Sequence, residues 1–351
     1  MKPQRVAILF GGQSAEHSIS LKSAAAIYGH LDRERFEPQL VYIDRTGRWA
    51  FTRNESFREE EYAGEEFHSF LPWTGRDLLP GGGVDIYFPV LHGPNGEDGR
   101  IQSLLELAGV PFVGAGSIGS MLAMDKAAAK HLFVQAGLAV PDFLVFSHAD
   151  PAEIVRRCGE RLRYPLFVKP CAMGSSVGIS RVETPQDLPE AATKAFAYDR
   201  KIIVENGLDI REIEVAVMGN DDLDVSSPGE LIPHSVFYDF ADKYIDGKTL
   251  FHIPMVADEA TRQAIRDTAA RAYRALFLNG MSRVDLFVEK SSGRILVNEI
   301  NTIPGFTEIS MFPKLFAAAG VSFRDLVTRL IELGFAYHRS RPLCVDEDTG
   351  H

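Results

Sequence analysis

The sequence predicts an α/β protein of three structural units, with a more mixed α+β arrangement in its C-terminal part. Three observations support this prediction. The chain has 351 residues, of which 45% are apolar, so it can bury a large core. Apolar runs typical of strands alternate with segments of helical periodicity. No segment repeats another along the chain.

The first unit, residues 1–124, begins with a strand, a turn and a helix. "RVAILF" is an apolar run that ends at Gly11 and Gly12, and "SAEHSISLKSAAAIYGHL" has the Ser- and Glu-rich start of a helix. "EPQLVYID" predicts a second strand, "VDIYFPVLHG" a buried strand and "GRIQSLLELAG" the helix behind it. This alternation indicates a Rossmann-like α/β domain.

A strong helix, "DKAAAKHLFVQAGL", opens the second unit, residues 125–212, and ends at Gly137 and Pro141. Strands in this unit are "YPLFVKP" and "RKIIVEN". The third unit, residues 213–341, begins with "EIEVAVMG" and includes the loop-rich "HSVFYDFADKYIDGKTLFHIP". It closes with a helix, a hairpin and "FRDLVTRLIELGFAYHR", and residues 342–351 are expected to form a frayed tail.

The composition excludes several classes of function. A net charge of -11, with no cluster of Lys and Arg, argues against a nucleic-acid partner and favours small-molecule chemistry. The cysteines, Cys158, Cys171 and Cys344, lie far apart and form no C-x-x-C motif, so neither a disulfide framework nor a zinc site is indicated. No apolar run has the length of a signal-peptide core or a membrane helix. We therefore expect a cytoplasmic protein with no membrane partner.

The stretch "VKPCAMGSSVG" has the components of a phosphate cradle in an unusual order. Lys169 ends an apolar run and precedes a loop of small residues that contains Gly174, Ser175, Ser176 and Gly178. In the P-loop of NTPases the lysine instead follows the glycines and opens a helix. The stretch is therefore not a Walker A motif.

Charged residues interrupt the predicted hairpin "SRVDLFVEKSSGRILVNEIN" at its open end. Strand residues two apart share a face, so Arg283 and Asp285 point together, as do Glu299 and Asn301. A symmetric turn places Asp285 opposite or beside Glu299, where the two carboxylates repel unless a cation lies between them. Oxygen ligands suit Mg²⁺. The alternative is a salt bridge among Arg283, Asp285 and Glu299.

Other candidate residues carry weaker signals when taken singly. "HGPNGEDGR" places His92 in a loop after a buried strand, where α/β sheets usually bind ligands, but it is also compatible with a surface turn. Lys126 is compatible with a solvated helix face, and Glu205 and Glu212 with exposed acids. Glu16, after the two glycines, belongs to no dinucleotide-binding motif.

Taken together, the motifs are specific. "GGQSAEHSIS", "LHGPNGEDGRIQ", "MDKAAAK", "VKPCAMGSSVG", "FYDFADKY", "RVDLF" and "NEINTIPG" occur in this order across nearly the whole chain. In this respect the sequence resembles the D-alanine:D-alanine ligases of the ATP-grasp superfamily. The resemblance implies a three-domain architecture with ATP between the central and C-terminal domains. It also implies that ATP phosphorylates one D-alanine and that the amine of a second attacks the acyl phosphate, giving a peptidoglycan precursor with release of ADP and phosphate.

The same resemblance implies a role for each candidate residue. Glu16 receives the ammonium of the first D-alanine, and His92 lies near the carboxylate of that D-alanine. Arg283 and the Gly305 N–H stabilise the tetrahedral oxyanion, and Ser175 and Tyr244 bond with Glu16 to close the lid. The remaining implied contacts are Lys243 and Ser310 on the second carboxylate; Lys126, Lys169, Ser175 and Ser176 on the ATP phosphates; Glu205 at the adenine and Glu212 at the ribose; and Asp285, Glu299 and Asn301 as ligands of two Mg²⁺ ions, with Mn²⁺ as a substitute.

Family members are also expected to be homodimers. Asn206 is a departure, because many relatives carry a lysine at this position beside the adenine. Two rival functions share the ATP residues: a ligase that makes D-alanyl-D-lactate or D-alanyl-D-serine, and a non-catalytic ATP-binding regulator. Arg283 together with the full metal set argues against the regulator. Tyr244 favours D-alanyl-D-alanine, because lactate-preferring relatives carry a histidine at this lid position.

Overall fold

Three β-sheets follow one another along the chain in the computed structural model, which describes residues 2–68, 83–147, 149–232 and 250–340. The first sheet has the order β3-β2-β1-β4, with strands β1 (Gln4–Gly11), β2 (Phe36–Ile43), β3 (Trp49–Thr52) and β4 (Ile86–Pro89). Strand β1 is parallel to β2 and β4, and β3 pairs antiparallel with β2. Its helices are α1 (His17–His30), α2 (Arg100–Leu107) and α3 (Ser117–Met124). Their positions match the α/β pattern in the sequence.

The second sheet is antiparallel, in the order β5-β8-β6-β7. Helix α4 (Lys126–Gln135) precedes it, and the strands are β5 (Phe143–Ser147), β6 (Leu166–Pro170), β7 (Ser180–Val182) and β8 (Lys201–Asn206). Asp125 caps α4 by accepting from the backbone N–H groups of Ala127 and Ala128, at 3.1 and 3.0 Å, which fixes Lys126 in the first turn. Helices α5 (Pro151–Arg161) and α6 (Leu188–Phe196) cover the sheet.

The third sheet is built around the long strand β9 (Ile210–Gly219) in the order β12-β11-β9-β13-β14, with β10 also paired to β9. Its other strands are β10 (Leu223–Val225), β11 (Gly229–Ile232), β12 (Leu250–His252), β13 (Met281–Glu289) and β14 (Ile295–Asn301). Helices α7 (Glu259–Ala275), α8 (Met311–Ala318) and α9 (Phe323–Ser340) complete the described chain. The predicted hairpin is the β13–β14 pair.

The C-terminal helix α9 packs against the first sheet. Its buried residues Leu326 and Leu330 belong to the same apolar core as Val6 and Ile8 of β1. A Cβ at Gly334 of α9 would lie 2.6 Å from the carbonyl oxygen of Phe112, so this position requires glycine. The third predicted unit thus completes the core of the first, and the exact domain boundaries stay a prediction.

A close backbone contact joins the end of the first unit to the start of β13. Gly280 has a positive φ of 73°, and a Cβ there would lie 2.9 Å from the backbone of Gly114. Asn279 reinforces the contact, since its side chain donates to Gly114 O at 2.9 Å and accepts from Gly116 N at 3.1 Å. This contact sets the position of β13, which carries Arg283 and Asp285.

Gly280→Ala is expected to destabilise the protein more than Gly293→Ala. Both glycines have positive φ, at 73° and 72°, but Gly293 has open space around its Cβ position. Strain alone costs roughly 1–2 kcal/mol at either site, and the overlap with Gly114 adds at least about 1 kcal/mol at Gly280. Urea unfolding of the two variants measures the difference. Equal losses would show that the Gly280–Gly114 contact has no energetic role.

Candidate active site

A cavity of about 310 Å³ lies where the three sheets meet. The first unit contributes Glu16 to its wall, the second contributes Lys126 and the loop at Gly174, and the third contributes the open end of the β13–β14 hairpin. The predicted site residues that line it are Glu16, Lys126, Ser175, Arg283, Glu299, Asn301, Gly305 and Ser310. Residues far apart in the sequence therefore converge on one space.

Some predicted residues do not form this wall. Lys169, Ser176, Glu205, Glu212, Asp285 and His92 are absent from the residues that line the cavity. Two of them contact side chains that do line it: Asp285 contacts Arg283, and His92 contacts Glu97. Lys243 and Tyr244 lie outside the described residues.

The register of β13 and β14 agrees with the sequence prediction. Asp285 lies opposite Glu299, and Arg283 lies opposite Asn301. Arg283 and Asp285 share a face and form a bidentate ion pair, with Nε to Oδ1 and Nη2 to Oδ2 both at 2.7 Å. The salt bridge that was the alternative to a metal site is therefore present between Arg283 and Asp285. The carboxylate of Glu299 lies beside this pair.

A third acid, Glu214, extends this row of carboxylates. It lies on β9 directly opposite Asp285, and its Oε2 is 3.3 Å from Arg283 Nε. Three neighbouring strands thus present Glu214, Asp285 and Glu299 side by side. Glu214 is a site residue that sequence pattern does not reveal, since nothing in the local sequence separates it from Glu212 two residues earlier.

The oxygen donors at this end of the hairpin suit a hard divalent cation. Asp285 and Glu299 supply adjacent carboxylates, and Asn301 supplies an amide oxygen that also accepts from Ile303 N at 3.0 Å. Among the described residues, no group of three or more His, Cys, Asp or Glu side chains could hold a metal ion alone. A cation here would therefore draw further ligands from a substrate or water, as Mg²⁺ commonly does.

A buried carboxylate, Glu205, holds two lysines behind the cavity. Its Oε2 accepts from Lys169 Nζ at 2.8 Å, and its Oε1 lies 3.1 Å from Lys130 Nζ. The side chain of Glu205 is 2% exposed. Burial alone would raise the pKa of Glu205, but the lysines lower it to about 2. Glu205 is thus ionised and is not the exposed acid of the alternative prediction.

The two lysines respond differently to burial. Burial opposes the charge on Lys169, but the Glu205 carboxylate outweighs it and raises the pKa of Lys169. Burial dominates at Lys130 and lowers its pKa, although Glu205 acts in the opposite direction. Lys130 also donates to Asn298 O at 3.1 Å. The sequence analysis did not single out Lys130, because a helical lysine normally lies in solvent.

Lys126 is buried at the cavity wall rather than solvated. Its Nζ donates to Met173 O at 2.7 Å and lies 3.5 Å from Glu299 Oε2. The loop that follows Met173 contains Ser175, Ser176 and Gly178, which have positive φ values of 52°, 59° and 73°. Left-handed backbone at two serines is uncommon and indicates a loop that its surroundings hold in a specific shape.

The first unit places Glu16 against the same loop. Glu16 is the N-cap residue of α1 and is buried. A Cβ at Gly174 would lie 3.4 Å from Glu16 Oε2, and one at Gly93 would lie 2.9 Å from the same atom. Gly93, with a φ of 72°, therefore permits the close approach of the 92–97 loop to this carboxylate.

His92 lies behind the cavity wall, and both of its ring nitrogens have protein neighbours. Nδ1 is 3.0 Å from Ile303 O, and Nε2 is 3.1 Å from Ser23 Oγ. Burial lowers the pKa of His92, but Glu97, 3.6 Å from Nδ1, and the charge of Glu16 raise it on balance. Ser23 and Glu97 received no assigned role in the sequence analysis.

Comparisons with known proteins agree with this arrangement. The family model D-ala D-ala ligase N-terminus matches residues 5–115, and D-ala D-ala ligase C-terminus matches residues 132–332. The D-alanine--D-alanine ligase of Thermoanaerobacter sp. (strain X514) is 42% identical, covering 97% of this chain and 99% of that protein. The ligase of the same name from Chlorobium luteolum is 45% identical, over 93% and 96% of the two chains.

Solved structures show the same fold. VanG D-Ala:D-Ser ligase from Enterococcus faecalis superposes with a TM-score of 0.87 at 35% identity, over 95% of this chain and 100% of that chain. The D-alanine-D-alanine ligase from Coxiella burnetii gives a TM-score of 0.85 at 33% identity, over 97% and 96%.

The fold is therefore that of the ATP-grasp enzymes, as the sequence predicts. The chain belongs to the D-alanine–D-alanine ligase family. Within the described residues, no helix combines the length and apolar character needed to cross a membrane.

Glu205→Gln is expected to cost about 3–5 kcal/mol of stability at neutral pH, because it leaves two buried lysines without their counterion. The folded pKa of Glu205 lies below its ordinary 4.5, so its contribution is complete above pH 4.5 and is lost as the pH falls towards 2. Urea unfolding should show wild type and variant converging over this range. Glu160→Gln, at an exposed pair with Arg156, is the control and should cost about 0–1 kcal/mol. A constant gap across the range would contradict the assignment.

Proposed function

We propose that the chain is an ATP-dependent ligase that joins two D-alanines into D-alanyl-D-alanine for peptidoglycan synthesis. The reaction passes through D-alanyl phosphate and a tetrahedral intermediate and releases ADP and phosphate. Family membership supports this function. The observation that carries it is the convergence of Glu16, Lys126, Arg283 and Glu299 on one cavity. These side chains supply charges opposite to those of the amino acid and of the nucleoside triphosphate that the reaction uses.

The phosphate end of ATP is assigned to the lysines and the glycine–serine loop. Lys126 and Lys169 offset the phosphate charge, and Ser175 and Ser176 contact the phosphates from the loop. Glu205 is assigned to the adenine and Glu212 to the ribose hydroxyls. The ion pair with Lys169 supports a second role for Glu205, because it orients that lysine. Asn206 stands where the resemblance places a lysine beside the adenine. Its side-chain oxygen instead accepts a hydrogen bond from Arg163 N at 2.8 Å.

Asp285, Glu299 and Asn301 are assigned to two Mg²⁺ ions, with Mn²⁺ as a substitute. Bound there, the ions would neutralise charge on the phosphates during transfer. Asp285 is paired with Arg283, and Glu214 Oε2 lies 3.3 Å from the same Nε atom of that guanidinium. Glu214 can therefore keep Arg283 in place if Asp285 turns towards a cation.

The dipeptide end of the site is assigned to residues of the first and third units. Glu16 receives the ammonium of the first D-alanine, with His92 near the carboxylate of that D-alanine, while Arg283 and the Gly305 N–H stabilise the oxyanion formed by amine attack. Ser310 and Lys243 hold the second carboxylate. A Cβ at Gly305 would lie 2.6 Å from Ser310 Oγ, which supports a role for the bare backbone at this position. Ser175 and Tyr244 close the lid with Glu16, excluding water from the acyl phosphate.

A cytoplasmic homodimer is the proposed state of the enzyme. Exposed apolar side chains lie on adjoining elements of the first and third units, including Leu107, 90% exposed at the end of α2, and Phe277, 69% exposed. Ile118 and Met121 of α3 are also exposed, and a Cβ at Gly119 of the same helix would lie 3.2 Å from Phe277 O. Clusters of this kind are typical of protein interfaces, which supports a second copy as the partner.

Asp285→Asn and Glu299→Gln are each expected to lower kcat/KM by about 100-fold or more, because the divalent cation loses a charged ligand. The loss should be partly reversible by raising the metal concentration. Phosphate release from ATP with D-alanine present measures the activity. Glu289→Gln, at the turn end of the same hairpin, is the matched control and should retain wild-type activity. Full activity in both variants would remove the metal assignment.

D-alanyl-D-alanine is expected to dominate over D-alanyl-D-lactate when D-alanine and D-lactate compete at equal concentration and neutral pH. Neutral Tyr244 accepts the amine substrate, whereas a protonated histidine would repel its ammonium form. Tyr244→His should therefore shift the products towards the ester as the pH falls. Chromatography of the products measures the ratio, and D-serine in a parallel competition tests the activity named for the Enterococcus faecalis relative. A mostly ester product from wild type would contradict the choice of substrate.

A further inference from the structure

One face of helix α1 carries three buried polar residues, counting its N-cap residue. Glu16 is its N-cap residue, and Ser20 and Ser23 follow four and seven positions later, on the same helical face. Both serines are fully buried within α1, among apolar residues such as Ile19 and Ile27. Buried hydroxyls require hydrogen-bond partners. The partner of Ser23 connects two distant parts of the chain.

Ser23 and His92 together hold the loop at residues 303–306. Phe306 N donates to Ser23 Oγ at 3.2 Å, Ser23 Oγ lies 3.1 Å from His92 Nε2, and His92 Nδ1 lies 3.0 Å from Ile303 O. The contacts therefore reach both ends of the loop that contains Gly305. The two hydrogen bonds to the loop itself are buried and join residues more than 200 positions apart.

One proton arrangement satisfies every group in this chain of hydrogen bonds. The Phe306 N–H donates to Ser23, the Ser23 hydroxyl donates to His92 Nε2, and His92 Nδ1–H donates to Ile303 O. This tautomer is inferred from the hydrogen-bond pattern. A serine hydroxyl both donates and accepts, so its bond to Phe306 also persists if His92 takes up a second proton.

Apolar packing fixes the same loop from its other side. The ring of Phe306 is fully buried, with its centroid 5.5 Å from that of Phe312 and 6.1 Å from that of Phe88. These contacts restrain the side chain of Phe306 but leave the orientation of the neighbouring peptide groups open. The hydrogen bond from Phe306 N to Ser23 supplies that restraint. It acts on the residue directly after Gly305.

We propose that Ser23 is a positioning residue for amine attack, which fixes the Gly305 N–H relative to Glu16 through helix α1. The proposal rests on the proposed function, in which Gly305 stabilises the oxyanion and Glu16 receives the substrate ammonium. Because Glu16 and Ser23 belong to one rigid helix, α1 sets the separation between these two groups. A donor to a developing oxyanion acts only within a narrow range of positions.

Ser23→Ala is expected to lower kcat by about 10- to 100-fold, in line with a small displacement of a catalytic group. KM for ATP should stay within about twofold of wild type, because the nucleotide contacts lie elsewhere. The affinity for a phosphinate dipeptide analogue, which mimics the tetrahedral state, should fall by the same factor as kcat. A general loss of structure would instead weaken ATP and the phosphinate alike.

Hydrogen exchange gives a second readout that does not depend on catalysis. Removing the Ser23 hydroxyl leaves the Phe306 N–H without its acceptor, so the amides of Ile303, Gly305 and Phe306 should exchange at least about tenfold faster than in wild type. Ser20→Ala is the matched control: its hydroxyl, equally buried on α1, bonds to Gly11 N at 2.8 Å and to Val90 O. That variant should leave exchange in 303–306 unchanged and kcat within about threefold of wild type. Ser23→Cys, similar in size, replaces the alanine variant if that variant does not fold.

Faster exchange in 303–306, with parallel losses of kcat and phosphinate affinity, supports the proposal. Unchanged exchange in Ser23→Ala overturns it, as does a loss of kcat that Ser20→Ala reproduces in full. Faster exchange without any loss of kcat or phosphinate affinity also overturns the positioning role. If wild type releases no phosphate with D-alanine and ATP, the proposed ligase function fails, which separates that failure from the outcomes above.

Discussion

The site depends on a buried lysine that joins the second and third sheets. Lys130 contacts Glu205 of β8 through its ammonium group and donates to the carbonyl of Asn298. Asn298 is left out of the pairing between β13 and β14, where the register shifts after Asp285. This bulge frees the carbonyl for Lys130. One cation thus stabilises both the carboxylate that holds Lys169 and the strand that carries Glu299.

A buried arrangement of this kind is costly to assemble but effective once formed. Two opposite charges that are removed from water attract each other strongly. A buried charge whose partner is displaced therefore destabilises the protein, whereas a correctly placed pair is held in one geometry. Lys126, Lys169 and Arg283 each contact a carboxylate before any substrate enters. These contacts fix the positions of the three cationic side chains, so the phosphate binding proposed above would require little reorganisation of them.

Local pattern was enough to predict the hairpin, because strand alternation and a short turn determine which residues lie opposite each other. Asp285 and Glu299 were placed correctly for this reason. The alternating strands and helices of the first unit followed from the same kind of periodicity. Glu214, Lys130 and Ser23 could not be identified in this way. Their roles arise from neighbours on other elements, and an acid on a strand or a polar residue on a helix carries no local mark of such a contact.

The packing of α9 on the first sheet has a consequence for folding during synthesis. The core around Val6 and Ile8 includes Leu326 and Leu330, so residues of β1 complete their core with residues that are synthesised more than 300 positions later. Until residues 323–340 emerge, α1 packs on this face of the first sheet without α9, and the cover of the face is incomplete. The contact between β1 and α9 forms slowly, because closing the long loop between two segments so far apart in sequence costs conformational entropy. The N-terminal unit, although first in sequence, therefore reaches its final packing late, and a nascent chain exposes an apolar surface on which chaperones can act.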